Sequence, residues 1–92
     1  MIRSFRCRET QLLFNTGKSR RFSAIAQVAL RKLDQLDNVT QLKSLAIPPG
    51  NHLEALKADR IGQFSIRINQ QWRICFRWSD EGPGDVEIVD YH

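Results

Sequence analysis

This sequence predicts an α+β fold: an N-terminal strand and two helices packed on one face of a small, mainly antiparallel sheet. Three observations predict it. Apolar residues recur at helical spacing through the first half of the chain. The run Pro48-Pro49-Gly50-Asn51 then breaks the pattern. Beyond it, apolar and polar residues alternate as they do in strands whose two faces meet different surroundings. A length of 92 residues makes one domain, 1–92.

Each element has a local cause. Ile2 to Phe5 reads as an opening strand. Arg8 to Asn15 carries Leu12, Leu13 and Phe14 on a helical stripe, and Gly17 stands where a left-handed residue ends a helix. After the basic loop Thr16 to Arg21, Ser23 is placed to cap the clearest helix. There Ile25, Val28, Ala29, Leu33 and Leu36 form one face, against Gln27, Arg31, Lys32 and Asp34 on the other, and Asp37-Asn38 ends it. A helical turn capped by Thr40 is expected from Thr40 to Ser44. Leu53 to Leu56 alternates weakly. Phe64, Ile66 and Ile68 alternate with Ser65, Arg67 and Asn69; after Asn69-Gln70-Gln71, Trp72, Ile74, Phe76 and Trp78 alternate with Arg73, Cys75 and Arg77. Gly82-Pro83-Gly84 is expected to turn the chain into a last strand, Asp85 to Asp90. One sheet face is then apolar and lies against the helices, tryptophans included. The other displays Arg67, Arg73 and Arg77 to solvent or to a ligand.

Composition narrows the function classes. No apolar run approaches the ~20 residues that cross a bilayer, and Met1 to Arg6 lacks the apolar stretch of a signal peptide. A cytoplasmic protein without membrane contact is expected. The two cysteines, Cys7 and Cys75, have no metal-ligand spacing and are expected to be free thiols. The net charge of +4 favours a polyanionic partner, usually nucleic acid.

The residues that carry chemistry lie at the ends of the predicted strands. Metal-free RNA cleavage needs a base for the ribose 2′-hydroxyl, a cation for the pentacoordinate phosphate and an acid for the 5′-oxygen. Asp90 or a neutral Lys57 supplies the base. Arg73, suited to bidentate phosphate contact, and Lys57 supply the cations. His92 or Tyr91 supplies the acid or relay, histidine being the side chain that titrates nearest neutral pH. No metal or cofactor is called for. Each group has a plainer role open to it, as a solvated strand or loop residue.

From Lys57 through Phe76, and above all in Asn69-Gln70-Gln71-Trp72-Arg73-Ile74, the chain resembles the HigB toxins of the RelE/ParE superfamily. Met1 to Phe5 and Asp90-Tyr91-His92 match that family too, and Pro48-Pro49-Gly50-Asn51 before Leu53-Glu54-Ala55-Leu56-Lys57 resembles its GraT-like branch. The resemblance implies a RelE-like microbial ribonuclease fold and a type II toxin that cuts mRNA in the ribosomal A site. It implies a HigA-type helix-turn-helix antitoxin, which ties the toxin into a hetero-oligomer on operator DNA. By the same resemblance Lys57, Arg73, Asp90, Tyr91 and His92 occupy active-site positions, and Gln71 meets the A-site nucleotide. Arg67, Arg77, Lys18, Arg20 and Arg21 are further candidate RNA contacts. One departure is Glu54, where some relatives carry histidine. Two other classes stay open: a ParE-like, non-catalytic inhibitor of DNA gyrase, and a module that only binds RNA or the ribosome.

Overall fold

The computed structural model describes residues 1–91 and consists of two helices on one face of a four-stranded antiparallel sheet. The helices are α1 (Arg8–Thr16) and α2 (Ala26–Asn38); the strands are β1 (Glu54–Ala55), β2 (Gln63–Arg67), β3 (Trp72–Ser79) and β4 (Gly82–Asp90), in the order β1-β2-β3-β4. Among the described residues no helix is long and apolar enough to cross a membrane.

Helix α1 ends as expected, with Gly17 at φ 77° donating its N–H to the Leu13 carbonyl. Helix α2 does not start as expected. Ser23 opens a single 3₁₀ turn, Ser23–Ile25, that runs into the α-helix, and no side chain caps either segment. The expected turn after α2 is a 3₁₀ segment at Leu42–Ala46, without a Thr40 cap. Its displacement seats Leu45 in the core. Further 3₁₀ turns at Pro49–Asn51 and Ala58–Arg60 bracket β1, which is shorter than its alternation suggested.

Register fixes the faces. Phe64 lies opposite Phe76, and Ile66 opposite Ile74, which faces Ile88 on the next strand. These residues pack with Leu13, Phe22, Ala29, Leu33, Leu36 and Leu45 into one core. Trp72 and Trp78 border it, Trp72 edge-on to Phe22 at 5.5 Å, so both tryptophans take structural places. Two details differ from the expectation. Gly82-Pro83-Gly84 is not the hairpin turn but the start of β4, opposite Ser79, Trp78 and Arg77, with a register shift between Cys75 and Arg77. At Gly82 (φ 118°) a Cβ would collide with the Met1 carbonyl oxygen, so the N-terminal chain passes where only glycine leaves room.

That N-terminal segment makes one parallel bridge to β4, Phe5 with Val86, rather than a full strand. Pro83 has no N–H to donate, and the Asp85 N–H goes to the Ser4 hydroxyl instead of a carbonyl. Bonds from Arg3 to Pro83, Arg6 to Val86 and Val86 to Ser4 complete the seam. Farther along, the Thr10 hydroxyl of α1 accepts the Ile88 N–H at 3.0 Å. The outer edge of β4 is thereby occupied, which removes a site for strand-to-strand aggregation.

Candidate active site

The sheet face opposite the helices buries polar groups. Gln63, Ser65, Arg73 and Cys75 are all buried there. Arg73 is therefore not the open-face arginine expected from alternation; it is 8% exposed. Its Nε donates to Ser65 Oγ at 2.8 Å, its Nη2 to the His52 carbonyl, and its Nη1 meets Glu54 Oε1 at 3.2 Å. With the Ser65 carbonyl also accepting from Nη2 at 3.5 Å, four acceptors hold the guanidinium in one orientation, and its centre lies 5.8 Å from the Tyr91 ring centroid. These contacts leave one Nη1–H uncommitted, and the half-exposed Glu54 is the partner that an incoming anion could replace.

The end of β4 completes one side of this place. Asp90 lies opposite Trp72 in the ladder and accepts from Gln71 Nε2 at 3.1 Å, while the Tyr91 N–H donates to the Gln71 carbonyl at 2.6 Å. Register puts Asp90 in line with Trp72, and Tyr91 comes round to the Arg73 side. Asn69 shapes the approach: its Oδ1 accepts the N–H groups of Gln71 and Trp72, both at 2.8 Å. Arg67 pairs across the ladder with Arg73, and its Nε is bound to the Asn69 carbonyl. His92 lies outside the described residues.

Arg73, Tyr91, Gln71, Asp90 and Arg67 are thus gathered at one end of the sheet. Lys57 is exposed after β1, three positions beyond Glu54, and among the described residues its side chain makes no hydrogen bond or ion pair. Arg77 is elsewhere: four residues along β3, beyond the register shift, and paired with Asp85 at 3.5 Å. Lys18 and Arg20 line a separate cavity of about 600 Å³ with Leu12, Thr16, Ser19 and Ser23, and Arg21 sits over the Phe22 ring at 5.3 Å.

Two parts of the site escaped the sequence reading, Ser65 and the His52 carbonyl; with Glu54, which the resemblance marked only as a departure, they orient Arg73. Ser65 carried a signal, being a small hydroxyl on the strand phase of the arginines. A backbone carbonyl carries none. Beside this group, Glu87 binds both Arg60 (3.0 Å) and Arg6 (3.4 Å). The Glu87 hydrogen bond pushes Arg60 up. Cys7 and Cys75 are free thiols; Cys75 lies opposite Glu87 in the ladder, and burial pushes its thiol up, with Arg60 opposing.

Residues 3–92 match the family model of the RelE-like toxin of type II toxin-antitoxin system HigB. Toxin HigB-1 of Vibrio cholerae serotype O1 is 43% identical over 58 residues, which are 63% of this chain and 61% of that protein. The chain thus spans less than two thirds of the Vibrio toxin. Endoribonuclease HigB of Proteus vulgaris is 30% identical over 98 positions and is covered completely, as is this chain. A chain of the YoeB-YefM complex from Staphylococcus aureus shares the fold, with a TM-score of 0.57, 19% identity, and coverage of 100% of this chain and 98% of that one. The chain therefore belongs to the HigB family of RelE-like toxins from type II toxin–antitoxin systems.

Proposed function

We propose that this protein is an endoribonuclease toxin that cuts mRNA in the ribosomal A site and so arrests translation in the cytoplasm. The observation that carries the reading is the buried Arg73 guanidinium, held by Ser65, His52 and Glu54 beside Tyr91 at the sheet end. A cation so fixed matches the charge that develops on a phosphate under attack, and it needs no reorganisation as the reaction proceeds. The reading is supported by family membership and by the Proteus relative named an endoribonuclease.

In this mechanism a base removes the 2′-hydroxyl proton, the 2′-oxygen attacks phosphorus, and the bond to the 5′-oxygen breaks as an acid protonates it. The products are a 2′,3′-cyclic phosphate and a 5′-hydroxyl. Arg73 stabilises the phosphorane, Lys57 and Asp90 share the base and electrostatic work, and Tyr91 with His92 handles the leaving-group proton. No metal is required. Gln71 contacts the A-site nucleotide, and Arg67, Arg77, Lys18, Arg20 and Arg21 contact RNA more widely. Lys57 is exposed and makes no polar contact to the other groups among the described residues, and the ribosome's role is to hold the mRNA in line with all of them. A HigA-type antitoxin neutralises the toxin and carries it, as a hetero-oligomer, to operator DNA.

Primer extension on a reporter mRNA, with and without programmed ribosomes, tests this. Cuts in phase with the A-site codon, present only with ribosomes and lost in Arg73→Ala, are the expected result. Equal cutting of naked RNA would overturn the ribosome requirement. No cutting in either lane would overturn the nuclease and make gyrase supercoiling the next assay.

A further inference from the structure

Helix α2 carries Lys32 toward the interior, where it is 9% exposed. Its Nζ donates to Asn51 Oδ1 at 2.6 Å. Asn51 is itself fully buried, and its amide nitrogen is committed to the Leu45 carbonyl at 3.0 Å and Gln35 Oε1 at 3.1 Å, which leaves the oxygen for the lysine. An ammonium has three donors, so Asn51 leaves two for another ligand. Among the described residues Lys32 has no carboxylate partner. The charges that act on it, Arg31 and Arg67, are both positive, and after burial itself they push Lys32 below the usual lysine range.

Beside it opens a cleft of about 260 Å³ lined by Arg31, Lys32, Gln35, Pro48 and Asn51. A shielded cation without a counter-ion is costly, and an anion in the cleft removes that cost. The space suits a phosphate group with several waters, each of which takes roughly 30 Å³. The cleft is also joined to Arg73. Consecutive residues of one turn hold the two cations, Asn51 through its side chain and His52 through its carbonyl. Arg67, opposite Arg73 in the ladder, is the same arginine whose charge reaches Lys32.

We propose that Lys32, Arg31 and Asn51 form a second phosphate site, which holds a phosphodiester of the RNA strand whose scissile phosphate lies on Arg73. The inference rests on the RNA-cleaving function proposed above, and it adds a binding group on α2 that fixes the register of the strand. It involves none of the groups that carry the proton transfers.

The test uses the full chain with two probes, inorganic phosphate followed by amide chemical shifts and a short 2′-O-methyl RNA followed by fluorescence anisotropy at several salt concentrations. Lys32→Met removes the buried charge at similar length, and Arg31→Gln removes the exposed one, which cannot unsettle the core. In the unaltered chain phosphate shifts the amides of Arg31, Lys32 and Asn51, and this response is absent in Lys32→Met. Each variant weakens RNA binding about three- to tenfold and lowers the slope of log affinity against log salt by roughly 0.7, as loss of one single-strand phosphate contact requires. Unchanged affinity and slope in both folded variants would overturn the proposal. Phosphate binding without any effect on RNA, or no RNA binding at all, would equally overturn it, leaving a site for free phosphate. Weakened RNA binding in the variants, coupled with no ribosome-dependent cleavage by the unaltered chain, would remove the proposed function and keep the phosphate site.

Discussion

On the helix side of the sheet Ile66, Ile74, Phe76 and Ile88 are shut among apolar neighbours; on the other side the same strands bury Gln63, Ser65, Cys75 and Arg73. The first face draws its stability from area removed from water. The second gains little from its ion pairs, since desolvation offsets much of the attraction. What it gains is placement: Ser65, His52 and Glu54 hold the Arg73 guanidinium in one orientation beside Tyr91. One face holds the fold together, and the other uses that stability to keep a charged group in position. Substitutions on the two sides should therefore fail in different ways.

The largest effect is expected on the apolar face. Phe76→Ala leaves a cavity among Phe64, Ile74 and the helices and should lower unfolding free energy by about 3–5 kcal/mol in urea denaturation. Activity per folded molecule should be little changed. Arg73→Ala should reverse the pattern, slowing ribosome-dependent cleavage by about a hundred- to a thousandfold, the range for losing one preorganised donor to developing charge. It will not be structurally silent, because Ser65 and the His52 carbonyl lose a partner, so rates need normalising to the folded fraction. A folded Arg73→Ala protein that cuts at the normal rate would end the assignment of this face. Glu54→Gln should have a smaller effect and the opposite sign. Glu54 is half exposed, so its pair with Arg73 contributes only about 0–1 kcal/mol to stability. It competes with phosphate for the same guanidinium, so RNA affinity in anisotropy titrations should rise by up to about fivefold, the equivalent of that energy. A large loss of cleavage without a gain in affinity would instead make Glu54 a base.

The two faces were not equally legible in the sequence. Period-two alternation found the apolar face nearly residue by residue, because one covered side leaves a direct mark on composition. The same alternation put Arg73 on an open face. It describes which side of a strand a residue takes, and says nothing about the 48–60 segment that folds over that side. Lys32 shows the same blindness on a helix: grouped by polarity with Arg31 and Asp34, it lies instead on the buried side with Ala29, Leu33 and Leu36, and Val28 is 37% exposed. Ser23 and Thr40 are good caps by type, yet α2 begins through a 3₁₀ turn and the segment after Thr40 is itself 3₁₀, neither with a side-chain cap. At the site, residue types and strand ends were enough to gather Arg73, Tyr91, Gln71 and Asp90. Of the acceptors that orient Arg73, Ser65 and Glu54 lie on β2 and β1, and the His52 carbonyl comes from a turn whose path no periodicity encodes.

The smallest predicted effect compares two buried titratable groups, one under the polar face and one on α2. Cys75 is pushed above its ordinary value of 9.0 by burial. Above pH 9 the unfolded chain loses that proton while the folded chain keeps it, so the unfolded state binds fewer protons and stability falls as pH rises. Lys32 is pushed below 10.5, again chiefly by burial. As pH approaches 10.5 the folded chain has released a proton that the unfolded chain still holds, so this group makes stability rise with pH. The two slopes oppose each other between about pH 9 and 10.5. In melts across that window Cys75→Ala should lose stability less steeply than the unaltered chain, and Lys32→Met more steeply. Saturating phosphate should flatten the Lys32 contribution, because a bound anion restores the charge that burial disfavours. Parallel curves for all three proteins would mean that neither group is as shielded as its packing implies.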